Sequence, residues 1–159
     1  MIKRNNKTVV RIVGLSIISG MRTTFAPAIA AHFLSKKPAA ALSKSKLSFI
    51  QSPATAIVTK LLSAAEIAGD KLPNTPDRIV ASQVLARVAS GSFAGAVIAT
   101  AENDSVAKGI LLGSVTALAA TFGTFYLRKY IDKSSVIKEP VTGALEDIVA
   151  VTSGVLLMR

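Results

Sequence analysis

The sequence predicts an all-α integral membrane protein, a single transmembrane domain over residues 1–159 built from about five short transmembrane helices. Half of the 159 residues are hydrophobic, and the mean hydropathy is +0.50. The apolar residues come in blocks, without the regular interleaving of polar residues that a soluble helix or strand shows. The longest block without a charge, residues 109–127, reaches the roughly 18 residues that a spanning helix needs. Shorter blocks at 23–35, 47–59 and 88–101 leave too little polar surface to coat a soluble globule.

The first two helices are predicted at residues 9–34 and 53–69. Arg22 interrupts the first apolar block, and Pro27 is expected to bend that helix because proline removes a backbone donor. The second helix is expected to begin at Pro53, since proline is favoured in the first turn of a helix. It ends before a polar, proline-rich turn.

The remaining three helices are predicted at residues 82–101, 106–127 and 140–158. The third is rich in glycine, alanine and serine, which allow helices to approach closely in lipid. A polar turn at residues 102–105 separates it from the fourth. The fifth begins at a proline, as the second does, and carries two acidic residues in its second turn.

The two halves of the chain resemble each other in their order of elements. Helices 1 and 2 are joined by a lysine-rich loop, and helices 4 and 5 by a loop rich in lysine and arginine. The second helix of each pair starts in the same way, with Ser52-Pro53 in one and Glu139-Pro140 in the other. Because one helix lies between the pairs, the second hairpin enters the membrane from the opposite side. The pattern predicts an inverted-topology repeat, which many transporters use.

The formal net charge of +10 points to anionic partners. The composition argues against nucleic acid, since six Phe and two Tyr without any Trp form no pattern of aromatic and basic residues for stacking bases. The basic residues stand in small groups at the ends of the apolar blocks, where lipid headgroups lie. Counting these residues predicts a cytoplasmic N-terminus. The chain has no cysteine, which excludes disulfides and thiolate metal sites.

Charged residues inside the predicted helices are the candidate functional residues, because one such charge costs at least about 2.5–3.5 kcal/mol in lipid. With the N-terminus inside, the primary candidates fall in the inner half of the bilayer. They are Arg22, Glu66, Asp70, Glu146 and Asp147. Asp77, Glu139 and Lys60 are secondary candidates.

Two interpretations of this charged cluster are open. In the first, the protein is a small transporter or channel-like protein with an inward-facing polar site, in which Arg22 is an anion clamp or counter-ion and the carboxylates bind a cation or proton. In the second, it is a membrane scaffold or accessory subunit whose charges only lock helix packing. The sequence contains no catalytic, cofactor or metal motif, so an enzyme is the least favoured class. A homodimer is expected, because five short helices enclose little volume alone.

The distinctive residues of the chain form short motifs along nearly its whole length. They are Gly20-Met21-Arg22, Glu66-Ile67-Ala68-Gly69-Asp70-Lys71-Leu72-Pro73, Pro76-Asp77, Glu139-Pro140 and Glu146-Asp147. In these motifs the chain resembles the domain-of-unknown-function 4126 family of small bacterial membrane proteins. The resemblance implies a multi-spanning protein of the bacterial plasma membrane, and it implies no activity, substrate or site residue.

Overall fold

The chain is predominantly helical in the residues that the computed structural model describes, which are 2–69, 79–134 and 139–159. Within those ranges there is no strand. The elements in chain order are α1 Ile2–Met21, α2 Phe25–Lys36, α3 Ala40–Ser43, a 3-10 turn Ser48–Gln51, α4 Pro53–Gly69, α5 Ala81–Ala101, α6 Val106–Ser134 and α7 Glu139–Met158. The predicted all-α class is therefore confirmed.

Three of the five predicted helices agree with the structure within one residue at each end: the second with α4, the third with α5 and the fifth with α7. The fourth starts at the predicted residue and continues to Ser134, seven residues beyond the expected end. Several of the added residues are charged or polar, so the end of the apolar block does not mark the end of this helix.

The first predicted helix, residues 9–34, is wrong as a single bent helix, because the chain reverses direction between α1 and α2. Ile18 of α1 and Ile29 of α2 would be about 16 Å apart along one straight helix. Instead, both side chains approach Gly154 of α7. Pro27 does not cause the break. It is the third residue of α2, in the first turn, where no intrahelical donor is lost.

Hydrogen bonds between helices give their relative directions. Arg11 near the middle of α1 bonds Glu102 at the end of α5, whereas Ser19 near the end of α1 contacts Ser90 in the first half of α5. The helices α1 and α5 are therefore antiparallel. We call the end of the bundle that carries residues 37–52, residues 102–105 and the C-terminus the upper end. The turn between α1 and α2 lies toward the opposite, lower end.

This reversal corrects the predicted topology. Because α1 descends to the turn and α2 returns from it, the N-terminus lies at the same end of the bundle as residues 37–52. The charged cluster lies toward the other end, at the last turn of α4 and the first half of α5. A cytoplasmic N-terminus and an inward-facing cluster were both expected, and this arrangement of the helices does not allow both.

The helices α5 and α6 pack through glycines that allow backbone-to-backbone approach. Gly91 and Gly95 of α5 face Gly109 and Gly113 of α6. A methyl group added at Gly95 would overlap the carbonyl oxygen of Gly109, which belongs to rigid backbone. The small residues of the predicted third helix thus do pack closely against a neighbouring helix.

Large apolar side chains are concentrated on the outside of the bundle. Exposed examples on the outer helices are Ile57, Val58, Leu61 and Leu62 on α4, Leu111, Val115 and Leu118 on α6, and Ile148, Val149 and Leu156 on α7. Two described helices are long and apolar enough to cross a membrane, α5 and residues 106–131 of α6. Membrane crossing by the other three predicted spans stays a prediction.

We predict that Gly95→Ala lowers the free energy of unfolding by about 1–3 kcal/mol, because the added methyl group overpacks the α5–α6 contact. The matched control is Gly123→Ala on the exposed side of α6, where a methyl group meets nothing within 4 Å. That control should be neutral or more stable by up to about 1 kcal/mol, since alanine favours a helix. Thermal unfolding of the purified protein in detergent measures both. Equal stability of the two variants would contradict the close packing.

Candidate functional site

The turn between α1 and α2 is the point where side chains from three other helices meet. We call this cluster the hub. It consists of the turn residues Arg22, Thr23 and Thr24 together with Glu66 of α4, Arg87 and Ser90 of α5, and Asp147 of α7. A helix break leaves carbonyl groups unpaired on one side and N–H groups unpaired on the other. The hub side chains bond the backbone groups on both sides of this break.

Arg22 forms a two-pronged ion pair with Asp147. Its Nε donates to Oδ1 of Asp147 at 2.6 Å, and its Nη2 donates to Oδ2 at 3.2 Å. The Arg22 side chain is 5% exposed and that of Asp147 is 18% exposed. Planar guanidinium groups suit this geometry, which lysine cannot reproduce. The pair joins the turn to α7 and keeps a charge from lying alone in the interior.

Glu66 caps the beginning of α2 from outside that helix. Its two carboxylate oxygens accept bonds of 2.8 Å from the backbone N–H groups of Thr23 and Thr24, and Oε2 also accepts 2.6 Å from the hydroxyl of Thr24. The first N–H groups of a helix form its positive end, which favours a carboxylate. Thr24, at the N-cap position, makes no capping bond of its own. Glu66, more than forty positions along the chain, accepts these hydrogen bonds instead.

Arg87 and Ser90 satisfy the carbonyl groups at the end of α1. Nη1 of Arg87 donates to the carbonyl of Gly20 at 2.9 Å and to that of Met21 at 3.2 Å. The hydroxyl of Ser90 donates to the carbonyl of Thr23. Arg87 is 2% exposed. The carbonyl end of a helix carries partial negative charge, so a buried guanidinium is favourable there.

The hub lies inside the bundle, although it belongs to a turn. Arg87 is six residues from the start of α5, which places the hub about 9 Å from the lower end of that helix at 1.5 Å per residue. The α1–α2 hairpin therefore enters from the upper end and turns before it reaches the lower end. Arg22 and Arg87 carry positive charge and Glu66 and Asp147 negative charge, so these four side chains are neutral together.

The structure brings Arg22, Glu66 and Asp147 together, as the sequence predicted for these three. Glu146 precedes Asp147 on α7 and is half-buried. Lys60 is exposed on α4, six residues before Glu66 along that helix, and is not part of the hub. Asp70 and Asp77 lie outside the described residues, as does the side chain of Glu139.

Sequence reasoning missed Arg87, Ser90 and the backbone of the turn. Arg87 lies six residues into α5, where the cost criterion that selects Arg22 applies equally. Arg11 is a basic residue near the end of an apolar block, yet it donates to Glu102 at 2.6 Å and to the carbonyl of Leu157 at 3.1 Å. No sequence signal distinguishes Ser90 from the other serines.

The hub has hydrogen-bond donors and carboxylates but no arrangement of metal ligands. In the described part of the chain, no group of three or more His, Cys, Asp or Glu side chains is placed to hold a metal ion. What the hub offers chemically is a pair of carboxylates, each held by cationic or N–H donors, around a helix break.

A family model described as Domain of unknown function (DUF4126) matches residues 9–159 of the chain. No curated protein and no solved structure matches the chain.

We predict that Asp147→Ala destabilises the protein by about 3 kcal/mol, because it removes the carboxylate that bonds both Nε and Nη2 of the buried Arg22. Combining it with Arg22→Met should cost less than the sum of the two single changes, since the pair is removed as a unit. Asp104→Asn is the matched control. Asp104 pairs with Lys108 at 3.8 Å near the surface, so its loss should cost about 0.3–0.5 kcal/mol. Chemical denaturation gives all four values, and strict additivity would contradict a coupled pair.

Proposed function

The chain belongs to the DUF4126 family, and we propose that it is a small multi-spanning membrane protein of transporter or channel-like function whose hub binds and releases a proton or small ion. The observation that carries this proposal is the helix break itself. Backbone outside regular helices is tolerated at membrane depth only where protein or a water-filled cavity surrounds it. Transporters build their sites where helix ends meet inside the protein, as the end of α1 and the start of α2 do here.

Embedding in a membrane is supported by the distribution of apolar side chains. Small residues fill the α5–α6 contact, while large apolar residues cover the exposed sides of α4, α6 and α7. A soluble bundle carries polar and charged residues on its outer faces, whereas the exposed sides of these helices are apolar. We place the protein in the bacterial plasma membrane, with α4 and α7 crossing it beside α5 and α6.

The hairpins α2–α4 and α6–α7 run in opposite directions, which supports the inverted-topology repeat as part of the proposal. The α2–α4 hairpin begins at the lower end of the bundle, and the α6–α7 hairpin begins at the upper end. In transporters with this symmetry, movement of one repeat against the other opens the site to alternate sides. The exposed apolar faces leave room for the proposed homodimer.

Glu66 is the residue we assign to proton or ion exchange. As a carboxylate it holds three donors at the start of α2, and hydrogen bonds to a charged group are roughly twice as strong as neutral ones. Protonation removes that charge and weakens the attachment of α4 to the turn. The positive end of α2 is then open to water or to an anion, because helix N-termini bind anions. Arg22 stays paired with Asp147 as the counter-ion.

A second candidate function, the membrane scaffold or accessory subunit, is favoured by a specific observation. Arg22, Glu66, Arg87 and Asp147 all bond groups of this same chain. Such a set of contacts is sufficient for a lock that only fixes helix packing. A scaffold whose charges only fix helix packing carries no proton or ion flux, whether or not Glu66 is protonated. A transporter or channel-like protein does carry such a flux.

We expect single cysteines at Asn6 and Ser48 to react from the same side of the membrane, and one at Ser82 from the opposite side. The chain has no native cysteine, so each variant reports one site. All three positions are exposed in the structure. A membrane-impermeant maleimide applied to intact cells and to inverted vesicles makes the measurement. If Asn6 and Ser48 reacted from opposite sides, residues 9–34 would cross the membrane as one helix, and the hairpin would be wrong.

Proton flux in reconstituted vesicles separates the two candidate functions. The wild-type protein should dissipate an imposed pH gradient faster than protein-free vesicles, as followed by an internal pH-sensitive dye. Glu66→Gln should reduce the rate to the protein-free level, because its amide cannot take up or release a proton, and circular dichroism of the variant checks that the helices are kept. Asp104→Asn is the control at the upper end and should leave the flux unchanged. No flux from the wild-type protein with protons, chloride or potassium would favour the lock.

A further inference from the structure

Residues 37–52 form a rigid platform across the upper end of the bundle. Leu42 and Ile50 are 0% and 1% exposed and join the apolar cluster with Val97 of α5. Gln51 ties the segment together, since its side chain accepts from the backbone of Ala39 and donates to the hydroxyl of Ser43 at 3.0 Å. The platform is thus anchored by its own polar and apolar contacts.

The platform and its surroundings present an unbalanced positive charge. The exposed basic residues here are Lys7, Lys36, Lys37, Lys44, Lys46 and Arg159, and in the described part of the chain none of them makes an ion pair. The described carboxylates at this end are already engaged. Glu102 bonds Arg11, and Asp104 pairs with Lys108. The charge is therefore available to an external anionic partner.

An apolar region lies next to the lysines. Phe49 follows Lys46 on the platform and is 52% exposed, with its ring stacked on that of Phe93 at a centroid distance of 6.1 Å. The exposed apolar face of α4, with Ile57 and Leu61, begins a few residues later. Exposed lysines together with exposed aromatic and aliphatic residues match the boundary between headgroups and acyl chains.

We propose that this surface, the platform with Lys36, Lys37, Lys44, Lys46 and Phe49, binds the headgroups of anionic lipids in the cytoplasmic leaflet. The occupant is a lipid and not a soluble polyanion, because Phe49 is exposed on the platform and α4, whose exposed face is apolar, packs against the platform through Ala56. The proposal rests on the membrane location above, but not on transport. It orients the protein with the upper end inside, so the hub lies nearer the external face.

Quenching of a single tryptophan by brominated lipids tests this surface directly. The chain has no tryptophan, so Phe49→Trp in the full-length protein reports on the platform alone. In vesicles of phosphatidylcholine and phosphatidylglycerol, brominated phosphatidylglycerol should quench it more strongly than brominated phosphatidylcholine. Each lysine changed to glutamine should reduce the relative association constant by up to about fivefold. The fourfold change Lys36→Gln, Lys37→Gln, Lys44→Gln and Lys46→Gln should abolish the preference.

Two controls keep the outcomes distinct. Lys129→Gln, an exposed charge toward the lower end, should leave the quenching of Phe49→Trp unchanged. Leu118→Trp, exposed on α6 ten residues from the nearest basic residues of that helix, should be quenched equally by both lipids. Quenching of Leu118→Trp without any lipid preference at Phe49→Trp would overturn the lipid surface and keep the membrane location. Absence of quenching at both positions would overturn both. Loss of quenching by brominated phosphatidylglycerol at Phe49→Trp, when a soluble oligonucleotide is added at physiological salt, would also overturn the lipid surface.

Discussion

Satisfaction of the backbone groups at the α1–α2 break is the constraint on which the rest of the structure depends. A turn inside an apolar bundle leaves N–H and C=O groups that no water can reach freely, and each unpaired group costs several kcal/mol. Glu66, Arg87 and Ser90 bond these groups on both sides of the break. Because they come from α4 and α5, the same contacts that close the turn also fix where those helices lie.

The signs of the charges of Glu66 and Arg87 in the hub follow from the helix termini that these side chains bond. A carboxylate at the beginning of α2 and a guanidinium at the end of α1 each match the sign of the helix terminus that they touch. Arg22 then needs a partner of its own, which Asp147 of α7 provides at 2.6 Å. In the proposed function, exchange of a proton or ion depends on one ionisable group, Glu66, because its hydrogen bonds hold α4 against the turn.

The two ends of the bundle differ in chemical character. Toward the lower end, acidic and basic side chains pair inside the bundle, whereas the upper end exposes lysines on a platform held by Leu42, Ile50 and Gln51. Between them, Gly95 and Gly109 bring α5 and α6 into backbone contact, whereas Leu15, Ile18 and Phe25 belong to a core of large apolar residues. Further large apolar residues face outward, so the sides of the bundle are apolar while its ends are charged.

By itself, the sequence determined the helix positions at α4, α5 and α7, the close packing of small residues, and the expectation that Arg22 meets carboxylates such as Glu66 and Asp147. These depend on local properties: apolar block length, prolines at helix starts, and the cost of a charge in lipid. The reversal at Arg22 was decided only by the tertiary structure, because residues 9–34 are equally compatible with one helix. Glu66, Arg87 and Ser90, which are distant in sequence, bond the backbone groups that the reversal leaves without helical partners. That reversal also decided that the hub and the N-terminus lie toward opposite ends of the bundle.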